Sequence, residues 1–420
     1  MNPKYLVSII KASVHARELW SLSFGFPTET ITEGEVKVVV PKLAAYVKEV
    51  WEYAPSKAPV FYNPTMELNR DLAVLALQVY QKMLEREVSV CEPLTGCGLR
   101  GVRFAVEVEG VGRVSVNDIN PKAAKLATFN AALNRVEDRV AVANEDANLF
   151  LSRYAAPRKR FNYVDVDPFG SPVPYLDAAL RALRSGGLLA LTATDMAPLC
   201  GVHPRACLRK YGGHPLRTEY CHELAVRLLV GCLAMMAAKH EIGVEVLFSH
   251  SVDHYVRAYA TVKYGARVAD KSVQQMGYIL HCFSCFHRET SLGIISPLKH
   301  VCPECKAKLS VAGPLWLGKI ADKNFCSLME REAEGRSLRQ EKRLLKMISL
   351  VQNEAEAPIT YYTVDKICDK LNLPIPALKK VINKVRREGF QAAPTHFNSR
   401  GFKTDAQASV VREILTKLTA

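Results

Sequence analysis

No run of about 18 apolar residues occurs anywhere in the chain, so no membrane-spanning helix is expected. The longest candidate, "LAVRLLVGCLAMMAA" at 224–238, is interrupted by Arg227 and reads as a buried helix. Before Lys11 the N-terminus offers only a short apolar run, too little for a signal-peptide core. Internal repeats and low-complexity segments are also missing, which argues against a repeat architecture. Twelve cysteines without a secretory leader imply free or metal-bound thiols in a reducing, cytoplasmic setting rather than disulfides.

What is present is a long, basic chain. Its 420 residues suggest two or three domains, and a hydrophobic share of 49% allows a sizeable core. The formal charge of +14 favours a polyanionic partner, most simply nucleic acid. No membrane partner and no obligatory protein partner are indicated.

Residues 1–86 form an N-terminal segment expected to complete the catalytic domain. "EVKVVVP" (35–41) suggests a strand or hairpin edge. Leu68, Leu72, Leu75 and Val79 recur at helical spacing after "FYNPTMELNRD". Residues 87–265 alternate strands and helices, with apolar runs at 88–91, 113–118, 139–144, 161–167 and 187–194. That alternation implies a parallel sheet covered by helices. Runs at 243–250 and 255–264 are joined too briefly for a crossover and should pair antiparallel. Five parallel strands and a hairpin give the strand count of the α/β, Rossmann-like class I methyltransferase fold. Residues 266–322 carry a cysteine cluster. In 323–420, "MEREAEGRSLRQEKRLLKMI" reads as a solvated helix, followed by two helices and a hairpin in winged-helix order.

Four strand ends carry the chemistry. "CEPLTGCGLRG" places Gly96, Gly98 and Gly101 between a strand and a helix, where bare backbone can approach a ligand. That spacing alone also suits a nicotinamide enzyme. Glu92, four residues before Gly96, tilts the choice toward a cationic ligand such as S-adenosylmethionine. Asp118 ends the next strand, placed to accept ribose hydroxyls. Asp146 follows the third strand, placed either for an adenine amine or as a helix N-cap. Their chain neighbours Ile119 and Ala147 are counted with the donor site. The fourth strand ends in Asp167-Pro168-Phe169-Gly170. An aromatic amine is a poor nucleophile because its lone pair is delocalised. The Asp167 carboxylate and the Pro168 carbonyl can receive its two N–H bonds and free that lone pair for in-line attack. The Phe169 ring can stack on the base.

Cys282, Cys285, Cys302 and Cys305 form two C-x-x-C pairs with sixteen residues between them, the pattern of a closed four-thiolate structural zinc site. His281, His287 and His300 are alternative ligands or solvated, RNA-facing groups. Lys379, Lys380, Lys384, Arg386, Arg387, Arg400 and Lys403 suit phosphate contacts, as does the basic loop at 198–215.

The motifs "FYNPTMELNRDLAV", "EPLTGCGLRGVRFA", "NDINPKA", "DVDPFGSP", "TATDMAPLCG", "GPLWLGK" and "THFNSRGFKTDA" span most of the chain. Together they resemble the tRNA (guanine-26-N2)-dimethyltransferases. The resemblance implies transfer of one, then two, methyl groups from S-adenosylmethionine to the 2-amino group of guanine 26 in tRNA. It implies Asp167 as the catalytic carboxylate, Phe61 and Phe169 sandwiching an extruded guanine, and Arg70 on the donor carboxylate. Rival readings are an amino-methyltransferase acting on another base of DNA or RNA, and a non-catalytic zinc-dependent RNA-binding protein.

Overall fold

A computed structural model describes residues 24–47 and 54–419. The apolar run before Lys11 lies outside them.

The "EVKVVVP" run is the second strand of a hairpin, β1 (Thr28–Glu33) and β2 (Val36–Pro41). Gly34, at φ +56°, makes the tight reversal between them. Val36, Val38 and Val40 are buried, so one face of β2 enters the core. The helix expected after "FYNP" is α1 (Glu67–Leu84), buried continuously from Glu67 to Tyr80.

The alternating region folds as β3 (Val88–Glu92), α2 (Leu99–Glu107), β4 (Val111–Asn117), α3 (Pro121–Leu133), β5 (Val140–Ala143), α4 (Ala147–Ser152), β6 (Phe161–Val166), α5 (Leu176–Ala182) and β7 (Leu183–Ala193). Then come α6 (Cys221–Ala238), β8 (Ile242–Val252) and β9 (Tyr255–Tyr264). The seven strands lie in the order β5-β4-β3-β6-β7-β9-β8. Strands β3 to β7 pair in parallel, and β9 runs antiparallel to both its neighbours. This is the expected α/β arrangement. The strand order reverses at β3, and the carboxyl ends of β3, β4 and β6 open onto one crevice.

The core divides by strand pleat. Tyr163, Leu188 and Ala190 face the layer that holds Phe104 and Leu126. Val164, Leu189 and Leu191 face the layer that holds Leu180 and Leu228. Each fully buried aliphatic side chain contributes roughly 1.5–3 kcal/mol. Helix α6 is long and apolar enough to cross a membrane by length and composition, with mean hydropathy 1.6, yet two-thirds of it (67%) is buried in this core. Glu223 pairs with Arg227 at 2.8 Å inside it.

Beyond the sheet, β10 (Met276–His281) is flanked by β11 (Arg288–Leu292) and β12 (Ser310–Trp316), both antiparallel. The stretch read as one solvated helix is two helices, α7 (Lys323–Ala333) and α8 (Glu341–Glu354). Gly335, at φ +83°, lies in the break between them. Each buries an apolar stripe, Phe325 and Met329 in α7, Leu344 and Ile348 in α8. The tail comprises β13 (Tyr362–Thr363), α9 (Val364–Leu371), α10 (Leu378–Arg387), β14 (Ala392–Pro394), β15 (Gly401–Thr404) and α11 (Ala408–Thr419), with sheet order β13-β15-β14. Lys403, expected to meet phosphate, instead points inward. It is 2% exposed and bonds Glu223 of α6 at 2.8 Å, since β15 is the central strand of its sheet and its side chains are buried.

Candidate functional site

The loop after β3 is shaped by two close approaches. A side chain on Gly96 would meet the carbonyl oxygen of Phe61 at 3.0 Å, and one on Gly98 would meet the Ala127 methyl at 2.7 Å. Both glycines have positive φ, +57° and +78°. The "FYNP" segment therefore lies over the glycine loop. Asn120 fastens it from the next loop by donating to the Pro59 carbonyl at 2.7 Å.

The expected acids sit around this loop. The Gly96 N–H donates to Asp118 Oδ2 at 2.8 Å, and the Asn120 N–H to Oδ1 at 2.9 Å. Burial raises the Asp118 pKa, and these two backbone donors oppose the rise. Glu92 is 3% exposed and accepts from the Thr95 hydroxyl at 2.6 Å and the Gly101 N–H at 3.1 Å. Burial pushes its carboxyl up to about 7 despite the Arg100 guanidinium. Asp146 is the N-cap of α4, with Oδ1 accepting from the Asn148 and Leu149 N–H groups at 2.9 and 3.0 Å. Asn144 ties the loops after β4 and β5 together through the Asp118 and Ile119 carbonyls. Ile119 is exposed and Ala147 buried. Leu149, which the sequence reading passed over, is a second exposed apolar side chain beside this cleft.

Arg70 is largely committed. Its Nε and Nη2 grip both oxygens of Glu33, each at 2.6 Å, and Nη1 donates to the Asn63 carbonyl at 3.2 Å.

At the end of β6 the chain turns at Gly170, φ +80°. The Gly170 N–H donates to the Thr194 hydroxyl at 2.7 Å, and the Thr194 N–H to the Gly170 carbonyl at 2.9 Å. This clasp leaves Phe169 70% exposed. The Phe61 and Phe169 rings meet edge to face, 4.3 Å apart at 87°. A base held between two parallel faces needs about 7 Å, twice the ~3.4 Å stacking repeat. The two rings are adjacent, but at this distance and angle no base fits between them.

The largest omission from the sequence reading is a buried ion network beneath Asp167. Arg100 donates from Nη1 to Asp165 Oδ1 at 2.7 Å, and from Nη2 to Asn69 Oδ1 at 2.9 Å and to Asp167 Oδ2. Arg257 donates to the other Asp165 oxygen at 2.6 Å and to the Thr192 hydroxyl at 2.6 Å. Burial works to raise the Asp165 pKa, but the two guanidiniums overcome it and hold the carboxyl below its usual value. A signal was present. Asp165 and Asp167 are two apart on one strand, hence on one face, and an arginine interrupts the apolar run of β9.

In the third sheet, the thiols of Cys282 and Cys305 lie 3.4 Å apart and those of Cys285 and Cys302 3.5 Å. All four sulfurs are within 4.8 Å of one another. A tetrahedron with ~2.3 Å metal–sulfur arms has edges of roughly 3.8 Å, so the four thiols fit a zinc ion. Each C-x-x-C closes a matching turn, with the Phe286 N–H donating to the Cys282 carbonyl and the Lys306 N–H to the Cys302 carbonyl. His281, by contrast, is buried against Tyr220 and Phe283, which removes it from any RNA-facing surface. Burial lowers its pKa to about 3. Cys200, Cys221 and His222 form a second, partly buried group of potential donors, one short of a closed tetrahedral set.

The family model described as N2,N2-dimethylguanosine tRNA methyltransferase matches residues 34–416. The tRNA (guanine(26)-N(2))-dimethyltransferase of Methanothermobacter thermautotrophicus is 42% identical over 93% of this chain and 99% of its own. A relative from Aquifex aeolicus, a tRNA (guanine(26)-N(2)/guanine(27)-N(2))-dimethyltransferase, is 36% identical over 93% of this chain and 96% of its own. Among solved structures, the complex of Trm1 from Pyrococcus horikoshii with S-adenosyl-L-methionine is similar at a TM-score of 0.81. It is 35% identical and covers 92% of this chain and 99% of that one.

Proposed function

The chain belongs to the N2,N2-dimethylguanosine tRNA methyltransferase family, and from that premise we infer its reaction and the parts its residues play. It transfers methyl groups from S-adenosylmethionine to the 2-amino group of guanine 26 in tRNA. The observation that carries the site assignment is the placement of Asp167, 16% exposed, beside an exposed Phe169 and the ring of Phe61, which overhangs the glycine loop.

The donor supplies an electrophilic methyl group on a sulfonium. Gly96 and Gly98 let backbone pass close to it. Asp118 keeps unused lone pairs for the ribose hydroxyls, Asp146 Oδ2 is free of the cap and serves the adenine amine, and Ile119 and Ala147 flank the base. Glu92 offers charge to the donor's cationic end. With Glu33 holding two of its nitrogens, Arg70 can share in gripping the donor carboxylate only through Nη1.

On the acceptor side, Asp167 Oδ1 and the Pro168 carbonyl receive the two N–H bonds of the guanine amine. That pulls the nitrogen toward tetrahedral geometry and exposes its lone pair. As the new N–C bond forms, the nitrogen sheds one proton, and Asp167 Oδ1 is the group placed to take it. One N–H remains after the first transfer, so the same acceptor serves a second round.

The four cysteines hold a structural zinc, since a closed thiolate set leaves no position for a reacting water. Elemental analysis finding well under one zinc per chain would count against this. The stretch expected as a basic loop at 198–215 folds in part as a short helix, Pro204–Tyr211, and its exposed Arg205 and Arg209, with Lys379, Lys380, Arg386 and Arg387 of α10, make phosphate contacts with tRNA. The division into 1–86, 87–265, 266–322 and 323–420 stands as a proposal, with α7 and α8 of the last region packing their apolar stripes into the same core as β2, α1 and α2.

The test is mass spectrometry of nucleosides from unmodified tRNA incubated with protein and donor. N2,N2-dimethylguanosine should form, and should vanish when guanine 26 is replaced by adenine. Methylation that persists in the replaced tRNA would reject the assigned position.

A further inference from the structure

We propose that Arg100 is a positioning residue for methyl transfer, holding Asp167 in acceptor geometry and locking it to the donor loop. The inference rests on the methyl-transfer reading above and deepens it.

Arg100 is the second residue of α2, directly after Gly98 and Leu99, so its backbone belongs to the donor loop. Its guanidinium reaches the other half of the site. Nη1 takes Asp165 and Nη2 takes Asn69 and Asp167, while Nε lies 4.0 Å from Glu92 Oε1. One planar fork therefore touches acids from the ends of both β3 and β6.

The fork cannot swing. Asp165 is fixed from behind by Arg257 at 2.6 Å and the Tyr163 hydroxyl at 2.7 Å. Arg257 is itself fixed by Thr192 at 2.6 Å and the Tyr259 hydroxyl at 2.8 Å. All of these side chains except Asp167 are at least nine-tenths buried. The chain of contacts ends at Asp167 Oδ2, and no donor among the described residues meets Oδ1. One carboxylate oxygen is anchored, and the other faces the cleft with its lone pairs free.

The charges explain why an arginine is needed. Glu92, Asp165 and Asp167 converge from adjacent strand ends, and like charges at such range disfavour ionisation. Two guanidiniums beside Asp165 and Asp167 balance that pair. Arg100 does not reach the reacting atoms, so it acts through Asp167.

Arg100→Lys is the sharpest variant, because it keeps the buried charge and loses the fork. Methyl transfer to tRNA should slow by about 10²-fold in kcat, the size of effect expected from a roughly 1 Å misplacement. The KM for tRNA, and the Kd for S-adenosylmethionine by calorimetry, should stay within about threefold, since only transition-state interactions are lost. The double variant Arg100→Lys with Asp167→Asn should be no slower than Asp167→Asn alone, because the two residues act as one unit. Asn69→Ala removes a brace from the same Nη2 without unpairing any charge. It should lower kcat in the same direction, and it carries the test if Arg100→Lys fails to fold. A kcat within about threefold of wild type in both single variants would overturn the inference, as would a loss confined to donor Kd or full additivity in the double variant. A wild-type protein that methylates no guanine overturns the underlying reading and this inference with it.

Discussion

Two arginines three residues apart on α2 anchor two buried ion networks, and their difference separates architecture from chemistry. Arg103 bonds Glu107 at 2.7 Å, Glu33 at 3.0 Å and Asp71 at 2.7 Å. Glu33 comes from the N-terminal hairpin and also holds Arg70. Every carboxylate in that network is buried and meets a guanidinium, so it fastens β1 and α1 to the sheet and, through Glu33, fixes Arg70. The Arg100 network has the same ingredients and the same depth, with one exception. Its last member, Asp167, emerges into a cleft with an oxygen left over. On the proposed reaction the network with an outlet positions a group for the ligand, whereas the closed one holds the fold together.

The strongest way to break this contrast is at the outlet. Asp167→Ala should reduce methyl transfer by at least about 10³-fold. Donor binding by calorimetry should be nearly unchanged, and turnover within tenfold of wild type would erase the distinction. The next effect falls on the closed network. Arg103→Gln leaves Glu33, Asp71 and Glu107 short of a partner and should cost about 3–5 kcal/mol in urea unfolding. Turnover per folded molecule at saturating donor should remain within about twofold of wild type, since the network meets the cleft only through Arg70, which Glu33 still holds. A fall in turnover with unchanged stability would reverse the roles assigned to the two arginines.

A smaller effect concerns pH. Glu92 sits beside Arg100, with its carboxyl raised to about 7 by burial. It is protonated below that value, and a cationic donor favours the ionised form. Donor affinity should therefore rise as pH climbs from 6 to 8, by up to about tenfold per unit where the group titrates. Because the pKa is raised rather than depressed, the ligand-free fold should lose stability as pH climbs from 4.5 to 7. Glu92→Gln should flatten both curves. A donor affinity that is level across this range in the native protein would remove Glu92 from the donor site.

Much of the sheet was legible because apolar runs bounded by glycine and acid mark strands buried on both faces. The runs at 161–167 and 187–194 became β6 and β7 on that ground alone, and the short join between the runs at 243–250 and 255–264 gave the antiparallel pair. The glycine loop and the strand-end acids were legible as well, since their spacing is local. The ion network was not. Arg100 lies 65 residues from Asp165, and Asp165 lies 92 from Arg257. A charge within a strand reads as solvent-facing until its partner is seen. The same bias made the stretch around α7 and α8 look solvated, and turned Lys403 outward on paper when it is buried against Glu223. His281 failed in reverse, because a histidine beside metal ligands suggests function, yet here the ring fills core between Tyr220 and Phe283.

The perpendicular contact of Phe61 with Phe169 bears on substrate choice. On the proposed sandwiching of the guanine, the contact between the two rings, an aromatic pair worth about 0.5–1.5 kcal/mol, is given up as the base enters. On that reading a base gripped along its edge recovers this energy and one not so gripped does not. The doorway then sets the same threshold for every base, and the choice among bases falls to the groups that meet the base edge.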